Sequence, residues 1–270
     1  MRVLFAGDVI GKAGRSVLFS VLPKLKEKLK PDVVVVNGEN AAHGFGLTPK
    51  MYQQFLDKGV DVVTMGNHTF DKKDIIPALE NEPFLIRPLN YPENTVGRGF
   101  CVKTLPNGKR LGVLQILGHV FMRNSLNPFE ILPDWLKQHP KGKEYDALLV
   151  DVHAEATSEK VALGHFLDGH AGLVVGTHTH VPSADAMILP NGTGYMTDAG
   201  MCGDYYSVIG MEVKGALSRL LPNIPHERLV PAEKEGTFCG VLADLDDETG
   251  LCREIFAVRV GAHLENTIDL

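Results

Sequence analysis

Along the first half of the chain, short apolar runs alternate with longer amphipathic stretches. Val3–Ala6 is an unbroken apolar run that leads into Gly7-Asp8, which predicts a buried strand carrying Asp8 at its end. In Ser16–Leu29, the residues Val17, Leu18, Val21, Leu22, Leu25 and Leu29 fall on or near one helical face, and Pro31 stops the helix. Val33–Val36 predicts a second strand, followed by Asn37-Gly38-Glu39-Asn40. Thr48-Pro49 supplies a hydroxyl cap and a first-turn proline for a helix that runs to Lys58 and closes at Gly59. Val60–Met65 predicts a third strand ending in Gly66-Asn67-His68, and a short helix follows over Asp71–Leu79, with Asp71 read as its cap in preference to a metal contact.

The second half is less regular. Arg87–Pro92 reads as a proline-bounded loop, and Phe100–Thr104 and Arg110–Leu117 as strands joined through Pro106-Asn107-Gly108. A helix is expected over Asn127–Gln138, a strand over Ala147–Val152 ending at His153, and a helix over Thr157–Phe166. Leu173–Val175 predicts a strand leading into Gly176-Thr177-His178-Thr179-His180. A hairpin is expected over 184–198 through Asn191-Gly192, and two further strands near 237–245 and 252–260. Early alternation of strands and helices, then paired strands, predicts an α/β layered fold. With no repeat, low-complexity stretch or evident boundary, residues 1–270 are read as a single domain.

Composition narrows the partners. The 270 residues are 44% hydrophobic, and the formal charge of -6 argues against broad nucleic-acid binding, which needs clustered Lys and Arg. It leaves room for a small phosphate ester drawn in by bound metal. Cys101, Cys202, Cys239 and Cys252 are scattered without a CxxC pair, so they read as buried thiols and not as a zinc site. Arg2 is followed by a short strand-like run instead of a signal peptide, and no apolar run is long enough to span a membrane. A cytoplasmic location without membrane attachment is therefore expected.

The chemistry lies in where polar residues fall. Asp8, Glu39-Asn40, Asn67-His68, His153 and His178/His180 each follow an apolar strand, and strand ends are where α/β sheets bind ligands. Singly, each has a structural explanation: a turn or cap for Asp8, a turn for Asn67, a surface position for a lone His. In His178-Thr179-His180, alternation along an extended segment puts both imidazoles on one side, an arrangement that suits metal. The coincidence of five such strand ends points to a site for Mn, Fe or Zn built from nitrogen and oxygen donors.

These motifs, in this order, resemble those of the calcineurin-like metallophosphoesterases, which usually show D-x-H, G-D, G-N-H, a lone His and G-H-x-H. Position 10 is Ile10 in place of the first histidine, and Glu39 stands where Asp is usual, with Asn40 beside it. Together with Gly66-Asn67-His68-Thr69-Phe70-Asp71, Arg87-Pro88-Leu89-Asn90-Tyr91-Pro92 and the string His153 to Lys160, these departures resemble the YmdB branch of bacterial phosphodiesterases. Gly203-Asp204-Tyr205-Tyr206-Ser207 differs from that branch.

The resemblance implies an αββα sandwich of mixed sheets flanked by helices, and a two-metal site. Glu39 would bridge the ions, with Asp8, Asn40 and His180 on one and Asn67, His153 and His178 on the other. Iron and manganese suit this donor set, and zinc is compatible. A metal-bridging hydroxide would attack phosphorus in line, and His68 would protonate the leaving alkoxide. Asn40, His43 and Arg87 are candidate substrate contacts, with a surface position for His43 and an ion pair for Arg87 as the structural alternatives. The implied substrates are 2′,3′- or 3′,5′-cyclic nucleotides. A nucleotide phosphomonoesterase, an RNA phosphodiesterase and a metal-dependent regulatory protein with incidental catalysis are the competing readings. A homo-oligomer is expected from the resemblance alone.

Overall fold

The computed structural model describes all of residues 1–270. Fourteen strands and six α-helices follow one another along the chain. The first half contains β1 (Arg2–Ala6), β2 (Asp8–Val9), α1 (Gly11–Leu29), β3 (Val33–Asn37), α2 (Pro49–Asp57), β4 (Val62–Thr64), α3 (Ile76–Asn81), β5 (Leu85–Ile86), β6 (Phe100–Thr104), β7 (Arg110–Leu117) and α4 (Pro128–Gln138). The second contains β8 (Ala147–His153), α5 (Thr157–Phe166), β9 (Leu173–Thr177), β10 (Met187–Ile188), β11 (Gly194–Met196), β12 (Met201–Cys202), α6 (Val213–Leu220), β13 (Thr237–Leu245) and β14 (Cys252–Gly261).

Two six-stranded mixed sheets result, in the orders β14-β13-β1-β3-β4-β5 and β10-β11-β9-β8-β7-β6. In the first, β1, β3, β4 and β5 are parallel; in the second, β7, β8, β9 and β11 are. A short parallel pair, β2 with β12, lies beside them.

Period-two alternation explains the layering. Val33 and Val35 of β3 face the second sheet with Val3, Phe5 and Val62, and meet Leu111, Val113, Leu149 and Val175. Val34 and Val36 face the other way, onto Leu18, Leu22, Leu25 and Phe55 of α1 and α2. On the far side, Leu114, Ile116, Leu148 and Val150 pack against Leu132, Trp135 and Leu163 of α4 and α5. This is the αββα arrangement. Strands buried on both faces need continuous apolar runs, as the four valines of β3 provide. Each such fully buried side chain contributes roughly 1.5–3 kcal/mol.

The differences from the sequence reading are local. α1 begins at Gly11, five residues before Ser16, and runs on through Pro23. Gly14 permits the early start, since a Cβ there would lie 2.3 Å from the Cys202 carbonyl oxygen. β5 and β12 are two residues each, too short to leave a periodic signal. α6 has no counterpart in the reading, although Val213, Ala216, Leu217 and Leu220 fall at helical spacing. Asp71 caps no helix; the turn at Lys73–Ile75 has no side-chain cap, and Asp71 pairs with His68 instead. No helix is long and apolar enough to cross a membrane.

Candidate metal centre

The C-terminal ends of β1, β3 and β4 in one sheet converge with those of β8 and β9 in the other, and the polar strand-end residues meet there. His153 Nε2 lies 2.9 Å from Glu39 Oε1, 3.0 Å from Asn67 Oδ1 and 3.1 Å from His178 Nδ1. His180 Nε2 lies 3.8 Å from Asp8 Oδ1, and the backbone N–H of His178 donates to Asp8 Oδ2 at 3.1 Å. Asp8, Glu39, Asn40, His153 and His180 are buried. One atom each from Glu39, His153 and His178 falls within a span of 4.8 Å.

Two features fit this cluster to cations. Asp8 Oδ1 and Asn40 Oδ1 are buried with no hydrogen-bond partner, and Glu39 Oε1 meets His153 Nε2; left so, each unpartnered oxygen costs its full desolvation. Asn40 Nδ2 donates to the Gly44 carbonyl, which directs Oδ1 as the free atom. Each imidazole, in turn, has one nitrogen held by an acceptor and the other facing the cluster. Thr177 Oγ1 holds His153 Nδ1 at 2.9 Å, Glu155 Oε2 lies 3.2 Å from His178 Nε2, and the Ile209 carbonyl holds His180 Nδ1 at 2.8 Å. Such outer contacts fix the tautomer that bares the other nitrogen. Gly66 completes the cradle, since a Cβ there would lie 2.3 Å from Glu39 Oε2 and 2.5 Å from His153 Nε2.

Behind His153 sits a residue that the strand pattern did not reveal. Asp151 is fully buried in β8 and accepts from Thr177 Oγ1 at 2.6 Å, Thr64 Oγ1 at 2.6 Å and Asn37 Nδ2 at 3.0 Å. It therefore ties β8 to three other strands and orients the hydroxyl that holds His153. Burial pushes its carboxyl up to about 7, against the pull of His153 and the two threonines. A polar residue inside the apolar run Ala147–Val152 was the signal available.

A second buried device holds the His178-Thr179-His180 turn, in which φ is +92° at His178 and +67° at His180. Asp198 Oδ2 accepts from Thr179 Oγ1 and Lys160 Nζ, both at 2.6 Å, and Lys160 and Asp198 are almost wholly enclosed. The left-handed conformation is unusual for these residues and persists because the surroundings fix it.

Charge follows from these contacts. Burial opposes the charge of Glu39, but His153 and the His68 backbone N–H outweigh it and hold the carboxylate at about 2. Burial likewise opposes a proton on His153, yet Glu39, Asp8 and Asp151 raise it to about 9. Burial pushes the Asp8 carboxyl up, and burial with the neighbouring His153 pushes His178 down to about 3.

Beside the cluster opens a cavity of about 330 Å³, lined in part by Glu39, Asn40, His68, His178 and His180. His68 is half-buried, its Nδ1 2.8 Å from Asp71 Oδ2 and its ring edge-on to Phe45. Two expected substrate contacts lie elsewhere. His43 is exposed and does not line the cavity. Arg87 is buried and its guanidinium donates to the carbonyls of Pro88, Leu89, Thr95, Val96 and Gly97, so it clamps its own loop and makes neither an ion pair nor a contact with the cavity.

Two mixed sheets flanked by helices, with nitrogen and oxygen donors gathered where their strands end, define a metallophosphoesterase of the calcineurin-like class. The model of the family described as "YmdB-like protein" matches residues 4–258, and the chain belongs to that family. It is 47% identical over 250 residues to the 2′,3′-cyclic-nucleotide 2′-phosphodiesterase of Bacillus subtilis (strain 168), covering 92% of this chain and 93% of the relative. It is 36% identical over 267 residues to a "Putative phosphatase/phosphodiesterase" of Mycoplasma pneumoniae, covering 96% and 93%. Among solved structures, a hypothetical protein from Thermus thermophilus superposes with a TM-score of 0.89 at 42% identity, over 97% of this chain and 99% of that one. A novel phosphatase from Mycoplasma pneumoniae also gives 0.89, at 35% identity, over 97% and 93%.

Proposed function

We propose that this chain is a dinuclear-metal phosphodiesterase that opens 2′,3′-cyclic nucleotides. The observation that supports it most is the convergence of three buried oxygens, those of Asp8 and Asn40 unpartnered, with three imidazoles whose outer nitrogens are held. The activity of the Bacillus relative supports the substrate class.

In this reading Glu39 would serve both ions, with Asp8, Asn40 and His180 available to hold one and Asn67, His153 and His178 to hold the other. The donor set suits iron or manganese, with zinc compatible. Bound ions supply neutralisation of the phosphoryl oxygens and activation of a water. The remaining chemistry belongs to the chain. Asp71 fixes His68 through Nδ1, which leaves Nε2 as the nitrogen free to deliver a proton to the departing ribose oxygen. The buried walls around Asp8 and Glu39 keep bulk water from competing for the donors.

A test combines metal analysis with a substrate panel of 2′,3′- and 3′,5′-cyclic nucleotides, RNA and nucleotide monoesters. About two transition-metal ions per chain and preferred turnover of 2′,3′-cyclic nucleotides are expected. One ion or none in carefully prepared protein, or turnover confined to monoesters, overturns the reading. Phosphomonoester hydrolysis is the second reading, favoured by the phosphatase from Mycoplasma pneumoniae that shares the fold.

A further inference from the structure

The cavity beside the donor cluster has an apolar side that the hydrolytic chemistry does not use: Phe45, Ile209, Met211 and Leu229 line it together with the donors. We propose that these four side chains form the subsite for the substrate's nucleobase and hold it by contact and stacking, without reading its hydrogen-bonding edge. The proposal rests on the cyclic-nucleotide reading above.

Size comes first. At about 330 Å³ the cavity is at the small end of ligand sites, which run from roughly 300 to 1,000 Å³, and it suits one mononucleotide. Construction comes second. Ile209 sits at φ +47°, a conformation that a β-branched residue rarely adopts and that Asn or Gly would occupy with less strain. Its carbonyl holds His180 Nδ1 while its side chain stays half-exposed at the cavity. Any residue would provide the carbonyl, so the strain is explained by what the side chain offers. Gly210 packs on Ile10, where a Cβ would lie 2.6 Å from Cδ1, so the departure at position 10 supports the same turn. Phe45 places an aromatic ring next to His68, their centroids 5.0 Å apart.

The remaining lining gives the specificity. Outside the donor cluster, the polar side chains at the cavity already have partners: Glu155 has His178, Thr179 has Asp198, and His68 has Asp71. Discrimination between bases requires groups committed to hydrogen-bonding them. Stacking on an aromatic ring tolerates every base.

The test measures kcat and KM of the metal-loaded enzyme on the 2′,3′-cyclic nucleotides of A, G, C and U and on base-free 1,2-cyclic glycerol phosphate. Phe45→Ala and Ile209→Asn are compared with the wild type; Asn tolerates the left-handed turn. The four nucleotides are expected to agree within about tenfold in kcat/KM, since stacking is sequence-tolerant. Both variants are expected to lose at least about ten times more kcat/KM on nucleotides than on the base-free diester, through KM, as loss of stacking contact predicts. Equal losses on both substrate types, or a strong preference for one base, overturn the subsite alone. A wild-type enzyme inert towards all five overturns the proposed function and the subsite together.

Discussion

His68 Nδ1 lies 2.8 Å from Asp71 Oδ2, three residues along the same loop, and the His68 backbone N–H also donates to Glu39 Oε2 at 3.1 Å. The imidazole is thus fixed at both its ring and its main chain, beside the cluster but outside the close-set donors Glu39, His153 and His178. A proton donor placed this way acts on chemistry without holding metal. His68→Ala is therefore expected to keep its metal content and to lose about 10²–10⁴-fold in kcat. Asp71→Asn is expected to lose less, because an amide oxygen at the same place can still hold His68 Nδ1. Metal analysis beside steady-state kinetics checks this, and a His68→Ala enzyme with normal phosphodiester turnover would remove the acid role.

Gly66 supports a separate prediction. A methyl group there meets Glu39 Oε2 and His153 Nε2 well inside contact distance, at the point where the donors face one another. Gly66→Ala is expected to fold, with a far-UV circular dichroism spectrum like the wild type, and to bind less metal per chain. Unchanged stoichiometry in that variant would show that the donors can part without losing the ions.

Arg87 gives a prediction in the opposite direction. Its guanidinium satisfies five backbone carbonyls of the 88–97 loop. Arg87→Met leaves those acceptors unpaired and is expected to cost about 3 kcal/mol in stability, because part-buried carbonyls lose their charged donor together. KM of the folded variant is expected to stay at the wild-type value. Urea unfolding and kinetics together decide it, and a raised KM at unchanged stability would return Arg87 to the substrate.

How far the sequence could be read follows from what each feature depends on. The strands carrying Asp8, Glu39, Asn67, His153 and His178 were legible because buried parallel strands need continuous apolar runs, and polar residues at their ends stand out. The partition of valines in β3 between two cores was implicit in the period of two. Arg87 and Asp151 escape a local reading for one reason: their partners are main-chain carbonyls for the one and polar side chains on other strands for the other, which no local spacing encodes. Asp71 looked like a cap because Asp commonly is one, and only the return of the loop onto His68 reveals its partner. The 203–211 loop was opaque because its shape is set by contacts with Ile10 and His180, which lie far from it along the chain.

Metal binding should depend on pH, with a sign set by the donors. In the metal-free protein His153 holds its proton up to about 9, and Asp8 is raised by burial, so ions must displace protons on entry. Affinity is therefore expected to rise as pH climbs from about 6 towards the His153 value of about 9. Folding of the metal-free protein runs the other way. A group with a raised folded pKa stabilises fully below its unfolded pKa, about 6.5 for His, and loses that contribution as pH climbs through the folded value. Asp8 adds the same sign, because the folded state binds its proton more tightly than the unfolded chain. Glu39, held at about 2, contributes above the ordinary carboxylate range and is constant across this window. The gap in Tm between manganese-loaded and chelator-treated protein is thus expected to widen from about pH 6 to about pH 8.5. Calorimetric titration of manganese in buffers of different ionisation enthalpy would count the protons released. A gap that narrows, or binding without proton release near neutral pH, would show that His153 does not yield its cluster-facing nitrogen to the ion.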